Sequence, residues 1–290
     1  MGSSDKVVRE KTANIFRAAR KVRGFKQSDM ALSLGITQGM VSKLESATLA
    51  PDAGLWYDFC KLLGVDGDLT YTSGYLFTSN INGELSLDSF NIGKMEKSTL
   101  IKVKECIPFI HTIRDMKLMD DFSTLLKKHE IDLDVFTVPE YQVPMNLLAL
   151  IFDFLNENLS QIKYMNYSSK CFANDFDYFM TGVDSSIDKL VQKLQYLEQI
   201  FEYEKNKHSL TISLSPTFKY SISDDTFVKS YMRYKAQLLK TVCSDIYDLK
   251  NIKLNKLDPL NYEIQYLSLI HISEPTRRTP ISYAVFCLKK

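Results

Sequence analysis

The 290-residue chain is poor in the features that most enzymes carry. Its 11 glycines never form G-x-x-x-x-G-K or G-x-G-x-x-G, so the glycine loops that cradle phosphates are excluded. Cys60, Cys106, Cys171 and Cys243 are widely scattered, with no C-x-x-C and no histidine at ligand spacing. They read as small buried or free thiols in a reducing compartment, which excludes a disulfide framework and a structural zinc site. His111, His129 and His208 lie far apart, and no serine occupies a nucleophile-elbow pattern. The acidic pairs Asp120-Asp121 and Asp224-Asp225, and Asp175 with Asp177, read as helix-opening or solvated acids rather than paired general acids and bases. The expectation is a protein without catalytic residues, metal or cofactor. Long apolar runs are also lacking. Leu147 to Leu155 is interrupted by Asp153 and the N-terminus MGSSDK is polar, so no membrane partner and a cytoplasmic location are expected.

Apolar residues make up 45% of the chain and aromatic residues 12%, ample for one small and one larger core. The formal net charge is only +1, but it is unevenly spread. Residues 1–66 hold ten Lys/Arg against seven Asp/Glu, and residues 67–266 hold 22 against 27. A modest basic excess suffices for a small phosphate-contacting domain, and the acidic remainder is a poor second nucleic-acid surface.

The basic end also carries the most specific pattern, QSDMALSLGITQGMVSKLES over residues 27–46. The spacing predicts a helix over Gln27–Leu34 with Met30, Ala31 and Leu34 on one face. Ala31 is small enough to admit a second helix. Gly35 is placed to end this helix at positive φ. Thr37 is placed to cap the next one, about Gln38 to Ser46, with Val41 and Leu44 turned inward. Gln38, Gly39, Ser42 and Lys43 are left facing outward.

This arrangement resembles the Cro and phage-repressor (XRE-like) type of helix-turn-helix over about residues 8–66. Flanking helices are expected at about Val8 to Val22 and Ala53 to Leu63, the latter apolar at Leu55, Phe59, Leu62 and Leu63. The resemblance implies double-stranded DNA as partner, with the outward turns of the second helix in the major groove. It also implies an ion pair between Arg20 and Glu45, and a backbone phosphate met where the helix of Gln27 begins. On that reading Lys26 and Gln27 position the domain, Thr37 caps, and Gln38, Ser42 and Lys43 read base edges, whereas Gly39 stands where the family usually carries a base-reading side chain. The run DGDLTYTSGY (66–75) reads as strand-like in place of a fifth helix. Residues 67–74 are therefore read as a linker, and homodimer contacts are assigned to the region beyond it.

Past the linker an α+β sensor or assembly domain is expected over residues 75–266. A hairpin around Asn82-Gly83 would join Tyr75–Ser79 to Glu84–Leu87. Helices are predicted over about Lys97–Ile107, ended by Pro108, and over Met116–His129, Pro144–Leu159, Ile187–Lys205 and Thr226–Leu249. Strands are predicted over Ser209–Ser215, Tyr220–Ser223, Ile252–Leu254 and Tyr262–Gln265. The segments SIDKLVQKLQYLEQIF (186–201) and NIKLNKLDPLNY (251–262) resemble parts of the regulatory domain of some AraC-type regulators, which implies a small-molecule effector. Phe172, Phe176, Tyr178 and Phe179 read as core or pocket lining. Tyr231, Arg233 and Tyr234 read as an exposed helix face or an anion clamp.

Residues 267–290 stand apart. LSLIHISEPTR and ISYAVFCLKK resemble a translated sequencing adapter nearly letter for letter, so these residues are expected to be a non-native tail with no part in the fold. The fold class expected is a mainly α helix-turn-helix domain followed by a larger α+β domain. The function expected is transcriptional regulation by a DNA-binding homodimer. An antitoxin-like or other protein-interaction module bearing a helix-turn-helix is one alternative, and an enzyme with a DNA-tethered domain is a second.

Overall fold

The structure, a computed structural model, describes residues 3–76, 89–95, 99–174, 191, 201–206, 209–214, 225–245, 250–258 and 260–267. These fall into two compact units, with residues 3–174 in the first and those from 191 onward in the second.

The first unit opens with five helices: α1 (Ser3–Val22), α2 (Gln27–Leu34), α3 (Gln38–Glu45), α4 (Ala53–Leu63) and α5 (Gly67–Ser73). Local chemistry sets their starts. The Thr37 hydroxyl accepts from the Met40 N–H at 3.2 Å, the Asp52 carboxylate from Leu55 N–H at 2.8 Å, and the Asp66 carboxylate from Leu69 N–H at 2.9 Å. Their shared core is Phe16 stacked on Phe59 with centroids 3.9 Å apart, flanked by Trp56 at 5.5 Å from Phe59. Met30, Ala31, Val41 and Leu44 close it beneath α2 and α3. Leu62, expected on the inward face of α4, is exposed, and Trp56 takes the aromatic contacts instead.

Residues 67–74 are not a linker. Asp66 caps α5 and Gly74, at φ +82°, ends it, while Tyr71 sets its ring edge-on to Trp56 at 5.6 Å. Capping and packing override the weak helix propensity of Leu-Thr-Tyr-Thr, and the fifth helix is present.

Residues 89–174 complete this unit. A short antiparallel ribbon pairs β1 (Leu100–Lys102) with β2 (Gln142–Pro144) in the register Leu100↔Pro144 to Lys102↔Gln142. Around it lie α6 (Ile107–Asp115), α7 (Met119–Lys128), a 3-10 turn at Leu133–Thr137, α8 (Met145–Asn158) and α9 (Gln161–Asn174). Pro108, expected to end a helix over 97–107, sits instead in the first turn of α6, where its missing N–H has no helical partner to lose. The chain before it is strand and 3-10 turn. Helix α9 follows α8 after Ser160 and has no counterpart among the helices expected; its polar outer face, including Lys163, Asn166 and Lys170, masks the buried stripe of Tyr164, Met165, Ser168 and Ser169. Phe109, Phe152 and Tyr164 form one aromatic cluster, with Phe109–Phe152 at 4.8 Å. Phe122 and Phe154 form another at 5.2 Å.

Among its described residues the second unit holds a four-stranded antiparallel sheet in the order β3-β4-β6-β5, from β3 (Phe201–Lys205), β4 (Ser209–Leu214), β5 (Lys250–Asp258) and β6 (Asn261–Leu267), packed against a long helix, α10 (Asp225–Asp245). Strand period 2 is plain in β3, where Phe201 and Tyr203 are buried while Glu202 and Glu204 are exposed. Residues 201–205, expected at the end of a helix, are thus strand; β5 and β6 are longer than the short strands expected. Leu267, expected to open the non-native tail, is the last residue of β6 and pairs with Lys250. Tyr231 and Tyr234 are buried on α10 with only Arg233 exposed, so the expected exposed face is largely a packing face. The predicted hairpin at 75–87 beyond residue 76, the strand at 220–223, the residues Asp175, Phe176, Asp177, Tyr178 and Phe179, and the tail after Leu267 lie outside the described residues. The architecture is a helical N-terminal domain followed by a larger region of helices and antiparallel sheets.

Candidate nucleic-acid interface

Helices α2 and α3 are the two arms of the motif. Gly35 ends α2 in the left-handed conformation (φ 65°, ψ 28°), and Ile36 N–H returns to the Ala31 carbonyl at 3.0 Å, which turns the chain within three residues into the Thr37 cap. Val41 and Leu44 are buried against Met30 and Ala31 as the spacing required. Thr37, Gln38, Gly39, Ser42 and Lys43 are all exposed, so α3 presents one continuous outward edge from cap to last turn.

The helix is anchored at its last residue. Glu45 is only 5% exposed, and Arg20 grips its carboxylate with both arms, Nε to Oε1 at 2.5 Å and Nη2 to Oε2 at 3.2 Å. Such a fork fixes direction as well as distance. Arg20 also donates to the Phe25 carbonyl at 3.0 Å, which ties α1 to the turn before α2. The Gln27 carboxamide is the third partner, donating to Glu45 Oε2 at 2.9 Å. Its side chain is therefore engaged inside the motif, and what Gln27 offers outward is the backbone N–H at the first position of α2, one of the amides a helix start leaves unpaired. Lys26, the exposed residue before α2, donates its backbone N–H to the Asp29 carboxylate at 2.9 Å and leaves its ammonium in solvent. The sequence-derived set thus splits into a surface group (Lys26, Thr37, Gln38, Gly39, Ser42, Lys43) and a seating group (Arg20, Gln27, Ala31, Gly35, Val41, Leu44, Glu45).

Gly39 stands in open space. A Cβ there would meet nothing nearer than the Thr37 hydroxyl oxygen at 3.9 Å, so no neighbour in the folded chain excludes a side chain at that position.

Residues that sequence reasoning missed lie at the back of α3. Arg17 donates through Nη1 to the Glu45 carbonyl, and its Nε lies 3.1 Å from Asp134 Oδ1. Past α3, Ala47 adopts φ 59°, and the amides of Thr48 and Leu49 both return to the Lys43 carbonyl at 2.9 and 3.1 Å. A basic residue one helical turn before Arg20 or Lys21 is visible in the sequence. The acidic partner 117 residues further on is not.

Among the described residues no group of three or more His, Cys, Asp or Glu is arranged to hold a metal ion, and no helix is long and apolar enough to cross a membrane. Burial raises the thiol pKa of Cys60 to about 11, with Asp66 and Asp68 adding to the shift, and moves those of Cys106 and Cys243 upward as well.

Comparison with known proteins places the motif. The helix-turn-helix family model matches residues 16–69, from the middle of α1 into α5. No curated protein gives a match. Among solved structures, the crystal structure of a mutant Fe(II) unliganded H-NOX protein from K. algicida aligns over 59% of this chain and 100% of its own, with 11% identity and a TM-score of 0.41. The capped and anchored α2–α3 pair, lying within the matched span, makes residues 16–69 a helix-turn-helix DNA-binding domain of the Cro/C1 (XRE-like) type.

Proposed function

We propose that the protein is a transcriptional regulator that occupies specific operator sites reversibly through α3, with the remainder of the chain serving effector sensing or homodimer assembly rather than catalysis. The observation that carries this reading is the uninterrupted exposed edge of α3, Gln38, Gly39, Ser42 and Lys43, on a helix whose inner face and last residue are fixed by burial and by the Arg20–Glu45–Gln27 network. A short helix reads bases only if its side chains hold a fixed register against the groove.

In this reading phosphates are met by the Lys26 ammonium and the first backbone amides of α2, which set the position of the domain without sequence preference. Gln38, in the first turn, supplies a carboxamide able to pair bidentately with adenine N6 and N7, and Ser42 and Lys43 follow one turn on. Gly39 lets the backbone approach the groove floor where a side chain would stand off. One such helix spans only a few base pairs, so two copies on paired half-sites are expected.

Selection from a random DNA pool with the full chain is the test. The wild type should enrich a motif. Gln38→Ala should relax one base position per half-site, since a bidentate pair contributes about 1–3 kcal/mol of discrimination. Lys26→Ala should weaken all sequences alike and flatten the salt dependence by about one unit. A wild type that enriches nothing, or a Gln38→Ala variant that enriches the same motif equally, overturns the reading.

A further inference from the structure

The last residue of α3 is held from two directions, and only one of them belongs to the helix-turn-helix. The Glu45 carboxylate is held by Arg20 and Gln27, both inside residues 16–69. The Glu45 carbonyl is held by Arg17, and Arg17 is in turn held by Asp134, in the 3-10 turn Leu133–Thr137 far outside that span. We propose that Asp134 is a positioning residue for the DNA-reading helix, acting through Arg17. The proposal rests on the operator reading above and adds the residue by which the downstream region reaches α3.

The geometry is that of a relay. Arg17 Nε lies 3.1 and 3.3 Å from the two oxygens of Asp134, its Nη1 donates to the Glu45 carbonyl, and its Nη2 donates to Asn14 Oδ1 at 2.5 Å. All the guanidinium's nitrogens are thus engaged, so its plane is fixed by Asp134 and Asn14 before it meets α3. Asp134 is itself nearly buried and doubly used, because Lys21 Nζ lies 2.8 Å from its Oδ2 and also contacts Asp132. The Asp132 carboxylate accepts from the Asp134 N–H at 3.3 Å and shapes the turn that presents it. Lys21 additionally lies 5.9 Å from the centroid of Phe90, so its position is fixed from the same region.

An exposed ion pair would add little. Three circumstances set this one apart. The side chains of Arg17 and Asp134 are 31% and 11% exposed, so the pair is only partly open to water. Helix α3 has eight residues, too few to persist without external contacts. Its final carbonyls lack helical partners by construction, and a charged donor there fixes the end of the helix. With Asp134 neutralised, Arg17 keeps a partner at Asn14 but loses the carboxylate that aims it, and the carbonyl contact at Glu45 loosens. Any ligand or partner that shifts the 132–137 turn would therefore alter how α3 meets DNA.

The test uses the full chain with Asp134→Asn, Arg17→Met and the double variant, and Lys21→Met as a control that weakens the clasp without touching α3. Amide hydrogen exchange is read at Ser46–Leu49, just past α3, and at Trp56–Leu63 in α4; binding is read on the motif enriched by the wild type across a salt series. Asp134→Asn and Arg17→Met should each speed exchange at 46–49 and weaken the motif by roughly three- to tenfold, the scale of a charge-assisted hydrogen bond partly open to water, with the salt slope unchanged in Arg17→Met, which leaves no cation uncovered. The double variant should do no more than Arg17→Met alone, and α4 should exchange as in the wild type. Lys21→Met should leave Ser46–Leu49 nearly as protected as the wild type. Wild-type exchange in Asp134→Asn, a double variant equal to the product of the singles, or equal acceleration in α4 would each overturn the relay. A wild type that enriches no motif removes the operator reading, and the claim on DNA with it, even where the exchange result shows that Asp134 seats α3.

Discussion

The two halves of the first unit are both helical, yet they are held together differently. In residues 3–73 the aromatic core of Phe16, Trp56 and Phe59 is supplemented by polar fixings: the starts of α3, α4 and α5 are set by Thr37, Asp52 and Asp66, and the seat of α3 is built from Arg20, Gln27 and Glu45. In residues 100–174 the helices are held by rings: Phe109, Phe152 and Tyr164 in one cluster, Phe122 and Phe154 in another. Aromatic packing maximises buried area and tolerates a range of helix angles. Polar anchoring contributes less net free energy but fixes direction. The first half must present an edge in register with something else, and the second need only be solid.

The largest expected effect breaks the second half. Phe152→Ala should cost about 3–5 kcal/mol, the usual range for emptying a buried aromatic site. The chain's only tryptophan, Trp56, lies in the first half, so its fluorescence during urea unfolding reports whether the damage crosses over. The clasp between α1 and the 132–137 turn leads us to expect that the Trp56 transition shifts with it. A Trp56 midpoint unchanged from wild type would separate the halves into independent folding units. Next comes the polar seat. Glu45→Ala should cost about 2–3 kcal/mol, less than a fully buried pair because the stranded Arg20 keeps some access to water. The same urea titration checks it, and a change under about 0.5 kcal/mol would place α3's seat in its apolar face alone. Thr37→Ala removes a cap and should cost about 1 kcal/mol while weakening DNA binding.

The smallest effect has the opposite sign. Gly39→Ala meets open space and replaces a poor helix former, so it should raise stability by roughly 0.5–1 kcal/mol. If Gly39 serves close approach to the groove, affinity for the selected motif should fall in the same variant. Higher stability with unchanged affinity would make Gly39 incidental.

The first half is the more legible in sequence because its determinants are local. Gly35, Thr37, Val41 and Leu44 lie within ten residues, and the extents expected for α2 and α4 from their apolar periodicity match the helices observed. Helix α5 is concealed because Leu-Thr-Tyr-Thr carries strand propensity, and the contact that decides the matter, Tyr71 on Trp56, spans two helices. In the second half Pro108 looks like a stop when it opens α6; a proline suits either end of a helix, and only the ribbon before it settles which. Residues 201–205 carry a period-2 pattern, but it is short and directly follows a stretch of period 3.6. Arg17 shows the limit most plainly. Its residue type and helix face are visible, but a partner more than a hundred positions away leaves no local trace.

Because Arg17 and Lys21 spend their charge on Asp132 and Asp134, the intact chain presents a less positive α1 than its sequence suggests. A fragment cut after Gly74 would return both cations to water. Such a fragment should hold unrelated DNA more tightly than the full-length protein and with a steeper response to salt, while discriminating less among sequences. The aspartates thus act as counterweights, and the excised domain would be a stickier and less selective object than the one the cell makes.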